Sequence, residues 1–225
     1  MSPVKNYLEL QERIQEVCRR VGREPNVLLL PVSKSQPVQA IQSLYDFGLR
    51  DFAENRVQEL LQKNAELPND IRWHFIGNLQ SNKVRHIAPF VDVIHSIDST
   101  ALAKELSGRA GERTIKILIE VNISGEAQKH GVQPNQAEEV VVQIADLFPN
   151  LMVTGLMGMA SLEEDPERTR PQFLALRELR DRIAERHPNI KTFKELSMGM
   201  TNDFEVAIEC GATIVRIGSA VFSNE

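Results

Sequence analysis

Apolar residues along the chain follow two alternating rhythms. Short aliphatic runs of strand length occur at 27–32, 51–53, 71–76, 91–95, 115–121, 151–156, 193–196 and 213–217. Between them, residues 37–47, 55–65, 81–87, 99–109, 134–147, 168–186 and 203–209 have helical period. In the longest helical stretch, Phe173, Leu176, Leu179 and Ile183 recur at three- and four-residue steps among Arg, Glu and Asp, which predicts one buried stripe on a solvated helix. Tyr7, Leu10, Ile14, Val17 and Val21 predict the same stripe in an extra helix ahead of the first strand.

Strict β/α alternation means parallel strands joined by helical crossovers, and eight such units predict a closed (β/α)8 TIM barrel. An open doubly wound sheet is the rival. It usually stops at five or six strands, and its G-x-G-x-x-G fingerprint after the first strand is missing here. No low-complexity linker divides the sequence, so a single domain over residues 1–225 is expected.

Composition narrows the function classes. A net charge of −5 argues against a nucleic-acid binder, which needs surplus Lys and Arg to displace counterions. The N-terminus carries charges throughout and no apolar stretch of signal or membrane length, which predicts a cytoplasmic protein without a membrane partner. Cys18 and Cys210, the only cysteines, lie in apolar-periodic surroundings and read as two buried reduced thiols. His74, His86 and His95 match no zinc spacing, so no metal is expected.

In such a barrel the chemistry sits at the C-terminal strand ends. The residues there are Lys34, Glu54 with Asn55, His74 with Gly77 and Asn78, His95 with Asp98, Asn122, Met157 with Gly158, Ser197 to Thr201, and Arg216 to Ser219. LSMGMT (196–201) and RIGSA (216–220) follow strands seven and eight, the usual phosphate cradle of this fold, with glycines for close backbone approach and hydroxyls as donors. Position alone therefore predicts a phosphorylated small molecule. Lys34 ends the first strand in an apolar mouth facing that cradle. Desolvation there would favour the free amine and a Schiff base with an aldehyde. The bland reading is a lysine that snorkels to the rim or neutralises Glu54.

With VSKSQP (32–37), DFAENRVQELLQK (51–63), RWHFIGNLQSNK (72–83), HSIDS (95–99), VNISGE (121–126), GLMGMA (155–160), ELSMGMTNDFEVAI (195–208) and RIGSAVF (216–222), the sequence resembles the pyridoxal phosphate homeostasis protein family nearly from end to end. The resemblance implies a barrel like the N-terminal domain of alanine racemase, binding pyridoxal 5′-phosphate (PLP) as fold-type III PLP proteins do. It makes Lys34 the covalent attachment point. Ser197, Thr201, Gly218 and Ser219 would hold the phosphate, Arg216 would approach the pyridine nitrogen and Asn55 would contact the ring. The chain departs from the commonest pattern at Ser35, Arg56, Asn78 and Thr201. Ser35 and Thr201 keep a hydroxyl, whereas Arg56 and Asn78 change the rim.

A guanidinium at the ring nitrogen can only donate, which leaves the ring a weak electron sink. Alanine racemase offsets this with a second domain and a tyrosine base from a partner subunit. This sequence ends at Glu225 just after the eighth strand, and its only tyrosines, Tyr7 and Tyr45, fall in predicted helices. The leading expectation is therefore a PLP carrier without a robust reaction, a monomer or weak dimer that hands PLP to apoenzymes and protects amino-acid and keto-acid metabolism. A small PLP enzyme such as a weak amino-acid racemase is the runner-up. A Schiff-base aldolase and a pure interaction module complete the alternatives.

Overall fold

The structure, a computed structural model, describes residues 2–126 and 128–223. Met1 and Glu225, the expected ends of the domain, lie outside the described residues. Eight strands, β1 (Leu28–Pro31), β2 (Asp51–Glu54), β3 (Arg72–Phe75), β4 (Val93–Ile97), β5 (Ile115–Val121), β6 (Leu151–Gly158), β7 (Glu195–Ser197) and β8 (Ile214–Ile217), form one parallel sheet in the order β1-β8-β7-β6-β5-β4-β3-β2. Its two edges meet where Val32 bridges Ala53, and the Ser33 N–H donates to the Ala53 carbonyl at 2.9 Å. The circuit is the expected (β/α)8 barrel.

The helices are α1 (Pro3–Arg20), α2 (Val38–Asp46), α3 (Val57–Glu66), α4 (Ser81–Ile87), α5 (Thr100–Ala110), α6 (Ala137–Leu147), α7 (Arg170–Arg186), α8 (Phe204–Glu209) and α9 (Ser219–Phe222). The extra helix α1 is nucleated by Ser2, whose side chain accepts from the Lys5 N–H, and by Pro3 in its first turn. Its stripe of Tyr7, Leu10, Ile14, Val17 and Cys18 is buried. Asn6 ties it to the end of the barrel by donating to the carbonyls of Val221 and Ser223 at 3.1 and 2.9 Å. Val21, expected in that stripe, instead caps α1 at the surface.

Several boundaries differ from the pattern, three of them with a visible cause. β4 starts two residues later than expected, because the Asp92 carboxylate is occupied in accepting the Trp73 N–H. β6 runs on to Gly158, and Gly155 lets it approach β7: a Cβ there would sit 2.0 Å from the Glu195 carbonyl oxygen. A 3-10 turn, Pro166–Thr169, precedes α7, with Asp165 capping it.

The large apolar core lies between the barrel wall and its helices. The lumen holds two small apolar clusters instead, Leu30, Val32, Ala53 and Ile214 on one side and Val93, Leu118 and Met157 on the other. Polar side chains separate them, and these lead to the site. Cys18 and Cys210 are both buried and free. Among the described residues no helix is long and apolar enough to cross a membrane.

Candidate functional site

Lys34 follows β1 in a tight turn whose next residue, Ser35, has φ 59°, a left-handed conformation a side chain rarely adopts. What holds the turn lies beneath it. The Lys63 Nζ donates to the Ser33 carbonyl at 2.6 Å and pairs with Glu54 Oε1 at 2.5 Å, while the Ser33 hydroxyl donates to the same oxygen at 2.7 Å. The Ser35 N–H donates to Glu59 Oε2 at 2.7 Å, and this bond, with Lys63 and Arg56 nearby, holds the Glu59 carboxyl below its ordinary range against burial. Lys63 thus occupies the buried carboxylate that could have neutralised Lys34. Among the described residues Lys34 has no ion pair or hydrogen bond. Its side chain is exposed rather than enclosed, as the apolar mouth had suggested, and it borders a cavity of about 370 Å³ at the C-terminal end of the barrel.

Across that cavity the loops after β7 and β8 meet. Gly199 turns the first at φ 92°, and the Met200 N–H donates to Asp203 Oδ1 at 2.6 Å, which sets up α8. Thr201 Oγ1 lies 3.1 Å from Ser219 Oγ, and Ser219 opens α9. Gly218 packs so closely on β1 that a Cβ would meet the Val32 carbonyl oxygen at 3.1 Å. Asn55 closes a third side. Its Oδ1 is buried without a partner, and its backbone is pinned by Gly77, where a Cβ would fall 2.0 Å from the Asn55 carbonyl oxygen.

Arg216 forms the floor. It is almost completely buried on β8; its Nη1 donates to Ser197 Oγ at 2.7 Å and its Nη2 to the Gly158 carbonyl at 3.2 Å. Burial lowers the guanidinium to about 10, opposed by Asp203 and Glu120, so it remains protonated at neutral pH. Glu120 lines the same cavity. Burial raises its carboxyl to about 7, helped by Asp98 and opposed by Arg216. Burial likewise raises Asp203, against the Met200 N–H and Arg216.

The structure brings Lys34, Asn55, Thr201, Arg216, Gly218 and Ser219 around one cavity. Ser197 is not among them. Its side chain is fully buried inside the barrel, held by Arg216 and by His95 Nδ1 at 2.8 Å, away from the cavity where a phosphate-holding role was expected. His74 and His95, read from the sequence as strand-end residues, also lie in the interior, with His74 Nδ1 2.9 Å from His95 Nε2. Arg56 is exposed and pairs with Glu59 at 3.5 Å, while Asn78 lies 3.0 Å from His130 Nε2 across the rim. Sequence reasoning missed Glu120, although a carboxylate inside the aliphatic run ILIEV was a signal, and it missed the anchoring of Ser33 by Lys63.

A parallel barrel with an unpaired amine at its mouth and two small-residue loops facing each other over a buried arginine has the architecture of the alanine racemase N-terminal domain, and the family described as "Alanine racemase, N-terminal domain" matches residues 6–225. Within that class the chain belongs to the pyridoxal phosphate homeostasis protein family: it is 46% identical to the pyridoxal phosphate homeostasis protein of Aquifex aeolicus, covering 100% of this chain and 99% of that one. PipY of Synechococcus elongatus, solved with PLP bound, is 36% identical and superposes with a TM-score of 0.81 over 95% of this chain and 99% of its own. Alanine racemase of Clostridium difficile shares the fold alone, at 13% identity and a TM-score of 0.73, over 97% of this chain and 57% of its length.

Proposed function

We propose that this protein binds PLP at the cavity between Lys34 and the β7 and β8 loops, and holds or hands over the cofactor within the cytoplasm. The observation that carries the reading is the unpartnered Lys34 opposite a cradle of Thr201, Gly218 and Ser219, with the orphaned Asn55 Oδ1 between them. The donor set fits the cofactor: hydroxyls and a glycine backbone suit a phosphate, and a fixed guanidinium suits a ring nitrogen. The PipY complex supports the same ligand. Two buried free thiols suit a reducing compartment. A monomer or weak dimer that passes PLP to apoenzymes completes the reading.

When bound, PLP supplies an electrophilic aldehyde and an electron-withdrawing ring. The protein's own groups divide the work. Lys34 would hold the aldehyde end through its amine and would give it up when another amine or water took its place. Thr201, Ser219 and the Gly218 backbone keep the anionic end in place, and Asn55 aligns the ring. Arg216, protonated at neutral pH, would donate to the ring nitrogen and could not protonate it, which would restrain carbanion chemistry. Neither tyrosine serves as a second base: Tyr7 is buried in the α1 stripe, and Tyr45 donates to Asp70 at 2.7 Å. Relatives carry the name of homeostasis rather than of a reaction. A weak PLP enzyme is the second reading. Its one supporting observation is Glu120, whose raised carboxyl could exchange a proton in the cavity.

The test is a visible spectrum of the purified protein with PLP before and after borohydride reduction, followed by peptide mapping. A pyridoxyl adduct on Lys34, absent in Lys34→Ala at unchanged melting temperature, is expected. An adduct on Lys63 or Lys83 overturns the assignment. Amino-acid turnover at ordinary enzyme rates that disappears in Glu120→Gln selects the second reading.

A further inference from the structure

Four consecutive hydrogen bonds cross the barrel lumen from one face to the other. Arg216 Nη1 meets Ser197 Oγ at 2.7 Å, Ser197 Oγ meets His95 Nδ1 at 2.8 Å, His95 Nε2 meets His74 Nδ1 at 2.9 Å, and His74 Nε2 meets Asp51 Oδ1 at 3.1 Å. The chain runs from the floor of the PLP cavity to the opposite mouth, where Asp51 lies beside Arg72. It passes between the two apolar clusters of the lumen, where an unsatisfied polar atom would be costly.

The end groups set its direction. A guanidinium can only donate and an ionised carboxylate can only accept. Burial pushes the Asp51 carboxyl up, but hydrogen bonds from His74 and Arg72 outweigh it and hold the group well below the usual carboxylate range. Ser197 accepts from Arg216, so its own hydrogen needs an acceptor. Among the described residues His95 Nδ1 is the partner within reach. His95 is fully buried, and burial, helped by the Arg216 cation, keeps it neutral. It therefore carries its one hydrogen on Nε2 and donates it to His74 Nδ1, leaving the His74 Nε2–H for Asp51. Every link is satisfied in this arrangement, and none in the chain points backward. The opposite sense would require a doubly protonated His74 and would strand the Ser197 hydrogen.

We propose that Asp51, His74 and His95 are positioning residues of the cofactor site, which act through Ser197 to hold Arg216 in one orientation as a donor to the PLP ring nitrogen. This rests on the reading that PLP binds over Arg216. The chain leaves the guanidinium one committed donor toward Ser197 and one toward Gly158, and fixes the face it offers to the cavity. A side chain with several rotatable bonds is thereby pre-organised before the ligand arrives.

Two measurements test this. The first needs no cofactor: long-range proton–nitrogen spectra of the histidine rings at pH 7 in the full chain. His74 and His95 are expected as neutral rings protonated on Nε2; a doubly protonated His74 with His95 protonated on Nδ1 overturns the inference. The second compares PLP with its 1-deaza analogue, in which C–H replaces the ring nitrogen. The intact protein is expected to prefer PLP by about tenfold, the order of one hydrogen bond to a charged group. Asp51→Ala should shrink that preference to about threefold or less, whereas Asp51→Asn, which keeps an acceptor for His74, should restore it. General loosening would weaken both ligands alike and leave the ratio unchanged. An unchanged ratio in Asp51→Ala, or no preference in the intact protein while Lys34 is still labelled, overturns the inference and spares the site. If PLP labels no residue the functional reading fails, and the ring spectra still decide the direction of the chain.

Discussion

Lys63→Met isolates the buried ion pair under the Lys34 turn. The methionine has similar length and no charge, so the substitution leaves Glu54, which is fully buried, without its cation while its Oε2 already has no hydrogen-bond partner. Removing one partner of such a pair costs roughly 3–5 kcal/mol. For a chain of this length that lowers the melting temperature by roughly 10 °C. The variant also frees the Ser33 carbonyl, which Lys63 holds at 2.6 Å, so the turn that presents Lys34 loses an anchor and PLP affinity should fall severalfold. The double variant Glu54→Leu/Lys63→Met separates the two effects. Replacing both charges by apolar groups is about neutral or stabilises by roughly 1–4 kcal/mol, so folding recovers. Affinity should not recover, because Ser33 then has neither its Lys63 donor nor its Glu54 acceptor. Thermal melts and PLP titrations of the four proteins close the cycle. Loss of less than about 1 kcal/mol in Lys63→Met would refute the buried-charge argument. Full recovery of PLP binding in the double variant would refute the anchoring argument.

Two further substitutions probe the cavity. Glu120 has its folded-state carboxyl raised from 4.5 to about 7, so the folded chain binds a proton that the unfolded chain has released. Its contribution is complete below about pH 4.5 and is lost as the pH rises through 7, by about 3 kcal/mol at most. Glu120→Gln should melt above the parent at pH 8 and level with it at pH 4.5 without PLP; a pH-independent difference would contradict the buried position. Gly77→Ala places a Cβ 2.0 Å from the Asn55 carbonyl oxygen. It should cost about 1–3 kcal/mol and weaken PLP binding, whereas Gly108→Ala, inside α5 with nothing within 4 Å, should stabilise slightly. Calorimetry on both alanine variants decides, and equal effects would show that the close approach at Gly77 is relieved elsewhere.

The strands were legible because most of their residues are buried on both faces and read as short apolar-rich runs, interrupted by charged residues such as Asp51, Arg72, Lys116 and Arg216. Lys34, Thr201, Gly218 and Ser219 were legible for the opposite reason: a polar or small residue just past such a run has left the wall for the rim. Ser197 was misplaced because the motif LSMGMT shows which residues follow β7 but not the pleat on which each sits. In a three-residue strand, Ser197 still faces the lumen, and of this motif Met200 and Thr201 reach the cavity. The same one-step ambiguity put His74 and His95 at the rim. Lys63 was read as one more helix residue, since its carboxylate partner comes from the neighbouring strand and only burial reveals the pair.

What the sequence could not show is which polar residues meet across the lumen, because their contacts join strands from distant parts of the chain. His95 and Ser197 are 102 positions apart, and the barrel's register alone brings them within 2.8 Å. An apolar filling would have stabilised the lumen with less risk, since a buried polar network helps only when every member is satisfied. Here two imidazoles and a hydroxyl stand between apolar clusters and end at a guanidinium facing the cavity. In the proposed PLP site a guanidinium there could donate to a ring nitrogen but not protonate it. A guanidinium held by Ser197 and by the Gly158 carbonyl, with the rest of its support reaching across the lumen to Asp51, leaves the mouth free for exchange.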